Sequence, residues 1–390
     1  MDKITCLVTI HGIGFQHAPK DGNGGYADGL HAALSQRIGG LLSGDPVPEF
    51  GRTAGTGAVY VHSDWPPGSG KITEGLSRLG RWQAGDASHR EVDSDKVPLT
   101  DETHKIAHVA LVYAGLEEQQ PHLGASLETL SKAAMSAHNY ASLPSLVHTG
   151  LADAWAILHH AHAANGAPSS SLQVRQAVTA TSTQVVAATD RSGPLSVIGQ
   201  LDQDVTTYVC RNDLRERVRS FVHDALLLIA CRKDVATVVV NSHSQGTVLV
   251  FDVVREMPPF ASAKIKHLIT AGSPLRKYAD LFYWGTDAAC ISSIPWTNFW
   301  DETDPVADPL EPPRTWRRGD PIPPSTGTSQ LYESTDPDTG DPLPVSLSDV
   351  LVSNADHGAG GGLAAHNYWD NNPQFVVPLA GILSAVAGAP

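Results

Sequence analysis

Short apolar, β-branched runs alternate along this chain with longer segments whose apolar residues recur every three to four positions. Ile4–Ile10 is apolar nearly throughout and stops abruptly at His11-Gly12-Ile13-Gly14. Such a run predicts a strand covered on both faces, as in a parallel sheet. Further strands are expected at Ala58–His62, Ala107–Tyr113, Ala236–Asn241, Ile265–Ala271 and Pro295–Trp300, with a weaker one at Asp349–Ser353. Helical spacing runs through Tyr26–Leu42, Leu127–Tyr140, Leu143–Asn165, Asp213–Arg232 and Thr247–Met257. Strands alternating with helices predict an α/β fold, a mostly parallel central sheet flanked by helices.

Texture divides the chain. Residues 1–115 read as the first part of the core, with a Gly-, Pro-, Ser- and charge-rich surface excursion at about 64–104. Residues 116–200 lose the strand texture and read as a largely helical inserted cap or lid. Residues 201–390 return to the core pattern, although 303–345, rich in Asp, Pro and Thr, read as loops with a hairpin turn at Asp338-Thr339-Gly340.

Composition narrows the function. Of 390 residues, 27 are basic and 41 acidic, a net charge of −14, which argues against nucleic acid as a partner because phosphate binding needs concentrated Lys and Arg. Apolar residues at 41% suffice for a sizeable core. The apolar stretch Phe375–Pro390 falls short of the ~20 residues that span a bilayer, so no integral membrane segment is expected. Cys6, Cys210, Cys231 and Cys290 include no CxxC pair, and the N-terminus opens on a strand without signal-peptide features. These features point to a cytoplasmic protein.

The chemistry concentrates around Ser242-His243-Ser244-Gln245-Gly246, a small-x-Ser-x-Gly pentapeptide entered from a strand and left as a helix. Positions two before and two after the nucleophile of such an elbow must be small. Gly246 meets that demand, and Ser242 stands where Gly is more usual. A serine nucleophile also needs amide donors aimed at the developing oxyanion, each worth about 3–4 kcal/mol in the transition state. Gln245 would supply one amide. The loop His11–Gly14 would supply the other, from Ile13 or its nearest competitor Gly12.

A base and an orienting carboxylate complete the set. Asp304, just past the strand at Pro295–Trp300, is the best placed acid, ahead of Asp301 and Asp308. Two histidines compete as the base. His366 precedes an aromatic segment able to pack against the ring, whereas His357 is followed by a glycine-rich stretch poorly suited to holding one, and His366 is preferred. A metal at His159-His160-Ala161-His162, or at His17 or His31, is set aside in favour of exposed positions, and Asp336–Asp341 in favour of a turn rather than a calcium loop. No metal or cofactor is expected.

Together, His11-Gly12-Ile13-Gly14, Ser242–Gly246, Trp296-Thr297-Asn298 with Asp304-Pro305-Val306, and His366-Asn367-Tyr368-Trp369 resemble the α/β-hydrolase superfamily, closest in style to lipase- and esterase-like serine hydrolases. The resemblance covers residues 1–65 and roughly 200–390. It implies an α/β-hydrolase fold and a Ser244–His366–Asp304 triad cleaving a small or lipid-like carboxylic ester through an acyl-enzyme. A thioesterase, amidase or acyltransferase would use the same triad, and a non-catalytic binding protein of this fold is the alternative from another class.

Overall fold

The computed structural model describes residues 3–12, 26–44, 57–62, 73–74, 76–82, 92–93, 97–100, 103–113, 208, 212–282, 288, 291–304, 306–336, 339–354 and 364–388. The expected cap at 116–200 lies outside them.

A nine-stranded sheet organises these residues, in the order β10-β11-β9-β8-β7-β1-β6-β2-β3. The strands are β1 (Ile4–Ile10), β2 (Ala58–Val61), β3 (Thr73–Glu74), β6 (Ile106–Val112), β7 (Val235–His243), β8 (Ile265–Ala271), β9 (Trp296–Asp301), β10 (Thr328–Thr335) and β11 (Pro342–Val352). From β11 through β6 every neighbouring pair is parallel; β2, β3 and β10 join antiparallel. Two short strands, β4 (Arg81–Trp82) and β5 (Val92–Asp93), pair with each other.

Helices cover both faces. Cys6, Val8 and Ile10 of β1 and Val238 and Val240 of β7 face α2 (Asn212–Cys231) and α3 (Gln245–Val254), burying Val222, Leu226, Val248 and Phe251. The alternate positions, Leu7 and Val239, face α1 (Asp28–Ile38) and the C-terminal α6 (Val377–Gly388), with Leu30, Leu34, Leu379 and Leu383. This two-sided cover is why β1 and β7 read as continuous apolar runs. Two further helices, α4 (Pro259–Ser262) and α5 (Leu275–Phe282), follow α3 and β8.

Three expectations need correction. The loop reading of 303–345 overlooks β10 and the start of β11, whose hairpin turns near Gly340 at φ 76°. The strand expected at Asp349–Ser353 is the end of the longer β11. Its exposed and buried positions are mixed because it lies near the sheet edge, which dilutes the hydrophobic signal. The excursion at about 64–104 is also more than surface: its Leu79, Val92 and Leu99 are fully buried in the core.

Strand order reverses between β1 and β7. From β1 the chain passes to β2 and β3 at the edge and returns as β6 beside β1, whereas from β7 it builds the other way through β8, β9 and β11. A crevice forms at such a switch point, outside the carboxyl ends of the strands. The segments after β1, β7, β8, β9 and β11 all leave from that edge.

Candidate active site

Ser244 is the single residue between β7 and α3. Its φ of 54° and ψ of −130° make it the one non-glycine residue with positive φ among the described residues. Such a conformation costs of order 1–3 kcal/mol and persists only where the surroundings impose it. Here its N–H donates to the Ala271 carbonyl at 2.9 Å. Its own carbonyl accepts from the Thr247 amide at 2.9 Å and the Thr247 hydroxyl at 2.7 Å. The backbone is thus fixed from both sides, while the buried Oγ has no hydrogen-bond partner among the described residues.

Packing explains the small residues of the pentapeptide. A Cβ on Gly246 would fall 2.3 Å from the His11 carbonyl oxygen. Ser242 is tolerated in place of glycine because its hydroxyl donates to the Ile269 carbonyl at 3.0 Å. Gly12 presses still closer to Ser244: a Cβ there would sit 2.2 Å from Ser244 Cβ and 2.7 Å from the His243 carbonyl oxygen. His11 anchors this approach. Its Nδ1–H donates to the Gly12 carbonyl (2.8 Å), its Nε2 accepts from the Tyr113 amide (3.2 Å), and its ring stacks on Tyr113 at 4.1 Å. Burial drives the His11 pKa down to about 4, so the ring is neutral and the tautomer follows from its two partners.

Gln245 opens α3, so its amide has no carbonyl four residues earlier to bond within the helix. The N-terminal end of the helix dipole therefore lies at Ser244. The Gln245 side chain is held by Tyr278, whose hydroxyl donates to Oε1 at 3.0 Å. Ile13 and Gly14 lie outside the described residues, as do His17, His357 and the 159–162 histidines.

Among the three candidate acids, Asp304 meets His366. The His366 Nδ1–H donates to Asp304 Oδ2 at 2.8 Å. The Tyr368 hydroxyl donates to the same oxygen at 2.9 Å, and the Val306 amide donates to Oδ1 at 2.9 Å. Burial raises the Asp304 pKa, but His366 and these donors overcome it and hold the carboxyl below its usual value. Asp301 instead accepts from the amides of Thr303 (2.7 Å) and Asn354 (2.6 Å), bracing the loop. Asp308 is engaged by Lys277 and Arg318. Arg318 also donates to the carbonyls of Glu302 and Asp304, so both competing carboxylates sit in the scaffold that holds the acid loop.

His366 ends a short 3₁₀ turn, Ala364–His366, and is buried. With its Nδ1–H donating to Asp304, the neutral ring carries its lone pair on Nε2, and that buried atom has no partner among the described residues. Gly272 at φ 62° lies flat against the imidazole, where a Cβ would come within 2.8 Å of Cε1 and 3.0 Å of Nδ1. Gly272 directly follows Ala271, whose carbonyl holds the Ser244 amide, so one stretch of backbone locates both side chains. His243 completes the support: its Nε2–H donates to the His366 carbonyl at 2.8 Å, and its pKa is pushed down to about 3, by burial first and then by His366. Ser244 Oγ and His366 Nε2 make no hydrogen bond with each other.

Sequence reasoning missed Tyr368 as an Asp304 donor, Gly272 and His243, each of which needs tertiary proximity to recognise. It also set His31 aside as an exposed position; the fold instead buries His31 and gathers it with His62 and His108, because α1 packs that face against the sheet. No family model, curated protein or solved structure matches the chain. No helix among the described residues is long and apolar enough to cross a membrane.

Proposed function

We propose that this protein is a serine hydrolase of the α/β-hydrolase fold, cleaving carboxylic esters. One observation carries the reading. A serine is held in a strained turn at a helix N-terminus with its hydroxyl uncommitted, and a carboxylate-bound histidine with an uncommitted Nε2 lies against Gly272, just past the end of the adjoining strand β8. An uncommitted hydroxyl and an uncommitted imidazole nitrogen at the same sheet edge support a nucleophile and its base. The chain order Ser244, Asp304, His366 also fits this fold.

His366 Nε2 takes the Ser244 proton as Oγ forms a bond to the acyl carbonyl carbon. Asp304 keeps the opposite nitrogen protonated and stabilises the imidazolium. The Gln245 amide and an amide of the Gly12–Ile13 loop receive the oxyanion. Collapse of the tetrahedral intermediate breaks the ester bond, and the alkoxy group leaves with the proton from His366. Water then attacks the acyl-enzyme, losing its proton to His366, and the acid departs as Ser244 recovers its hydrogen.

A fluorophosphonate probe should label the protein, and Ser244→Ala should abolish both labelling and hydrolysis of p-nitrophenyl esters. Equal labelling of the variant would remove the assignment. Turnover of thioesters or amides with no ester cleaved would keep the nucleophile and discard the ester substrate.

A further inference from the structure

Away from Ser244, three histidines meet under α1 although they lie far apart in sequence: His31 on α1, His62 directly after β2, and His108 in β6. All three are fully buried. A layer otherwise filled by Leu7, Leu30, Leu34 and Ile106 has no packing need for imidazoles, whose burial costs desolvation unless something repays it.

The ring nitrogens are arranged in two tiers. On the outer tier, each Nε2 has a polar partner. His31 donates to the Gly44 carbonyl at 2.7 Å, His62 to Asp28 Oδ1 at 3.1 Å, and His108 meets the Thr9 hydroxyl at 2.8 Å. Backbone carbonyl, carboxylate and hydroxyl are the groups that orient metal-bound imidazoles from behind. On the inner tier, His31 Nδ1 and His108 Nδ1 face each other at 3.1 Å, with their rings inclined by only 21°. Because Nε2 of His31 carries its proton, the inner Nδ1 of the neutral ring is a lone pair. Two nitrogens each about 2.0–2.1 Å from a tetrahedral zinc would stand roughly 3.3 Å apart, close to this separation. His62 lies flat against both rings, at centroid distances of 4.0 and 4.3 Å. Its Nδ1 lies 3.3 Å from the His108 carbonyl oxygen, so the ring reaches a shared ion only by turning out of the stack and giving up that contact.

We propose that His31, His62 and His108 form a binding site for a zinc-class divalent transition-metal ion, with the buried Asp28 carboxylate behind His62 as its orienting partner or fourth ligand. The ion clips α1 to β6 and to the end of β2, replacing a hydrogen bond between two imidazoles by bonds to one cation. Binding needs the His108 ring proton to pass from Nδ1 to Nε2, where the Thr9 hydroxyl oxygen can accept it, so both Nδ1 lone pairs face the ion. This inference stands whether or not Ser244 is a nucleophile.

The test is titration of the chelator-stripped full chain with Zn²⁺, followed by calorimetry and thermal unfolding, and with Co²⁺, followed by visible absorption. One equivalent should bind, raise the unfolding temperature and give the intense bands of four-coordinate cobalt. His31→Asn and His108→Asn should each weaken binding by roughly 100-fold or more, and Asp28→Asn by roughly 10–100-fold. A variant with His159, His160 and His162 all replaced by Ala should bind as the parent does. Should the core variants fail to fold, X-ray absorption of the zinc-loaded parent counts the ligands directly, with three imidazoles expected. A shell with one imidazole or none, no stoichiometric binding, or unchanged affinity in a folded His31→Asn/His108→Asn double variant overturns the proposal.

Discussion

Replacing Gly272 with alanine probes the contact that locates the proposed base without replacing any proposed reacting group. The residue's φ of 62° costs an L-residue about 1–2 kcal/mol. The added methyl would lie 2.8 Å from His366 Cε1 and 2.9 Å from Tyr368 Cε2, against an ordinary contact of at least 3.4 Å. The imidazole must therefore shift by roughly 0.6 Å, while Asp304 holds its Nδ1 at 2.8 Å on the other side. Misplacements approaching 1 Å cost on the order of 100-fold in rate. We expect kcat/KM on a p-nitrophenyl ester and the rate of fluorophosphonate labelling to fall about 10–100-fold, with stability down by about 1–2 kcal/mol in urea. Gly327→Ala is the control: φ is 71° there and a Cβ would meet nothing within 4 Å. It should show a similar loss of stability and unaltered kinetics. If Gly272→Ala keeps its labelling rate within about twofold of the parent while unfolding like Gly327→Ala, the backbone of β8 does not position the base.

Exchanging Asp304 for Asn should lower kcat by about 10⁴-fold through loss of the correct histidine tautomer, whereas Asp301→Asn should chiefly lower stability; equal kinetic losses in steady-state assays would contradict the assignment. Tyr368→Phe removes a donor from Asp304 and leaves the buried Asp301 amide without its 2.9 Å partner, so unfolding in urea should show a loss of about 1–3 kcal/mol. Acid should destabilise the fold early. His11 and His243 have folded pKa values lowered from 6.5 to about 4 and about 3, so their contribution is complete above pH 6.5 and is lost as pH falls toward those values. Each proton taken up on unfolding in that window contributes a slope of about 1.4 kcal/mol per pH unit. Stability flat from pH 6.5 down to 4.5 would count against buried neutral imidazoles.

How much was legible beforehand varied by residue and for physical reasons. Ser244 was visible because everything that shapes its turn is local: an apolar strand, two small neighbours and the helix that follows. Gly12 was visible for the same reason, although its closeness to Ser244 Cβ was not. Asp304 could be ranked above Asp301 and Asp308, but all three occupy one acidic loop, and only the arrival of His366, Lys277 and Arg318 gives each carboxylate a different partner. The hairpin β10–β11 was dimmed by half-exposed strands, and α5 by its short span.

Covalent neighbours and hydrophobic period thus determined the strands, the main helices and the sharp turn at position 244, since those depend on interactions a few residues long. Tertiary structure alone decided which carboxylate serves His366, that Gly272 lies against its ring, and that His31, His62 and His108 share one buried space. Those pairings depend on strand order and on which sheet face a residue occupies, and neither is carried by any local stretch of chain.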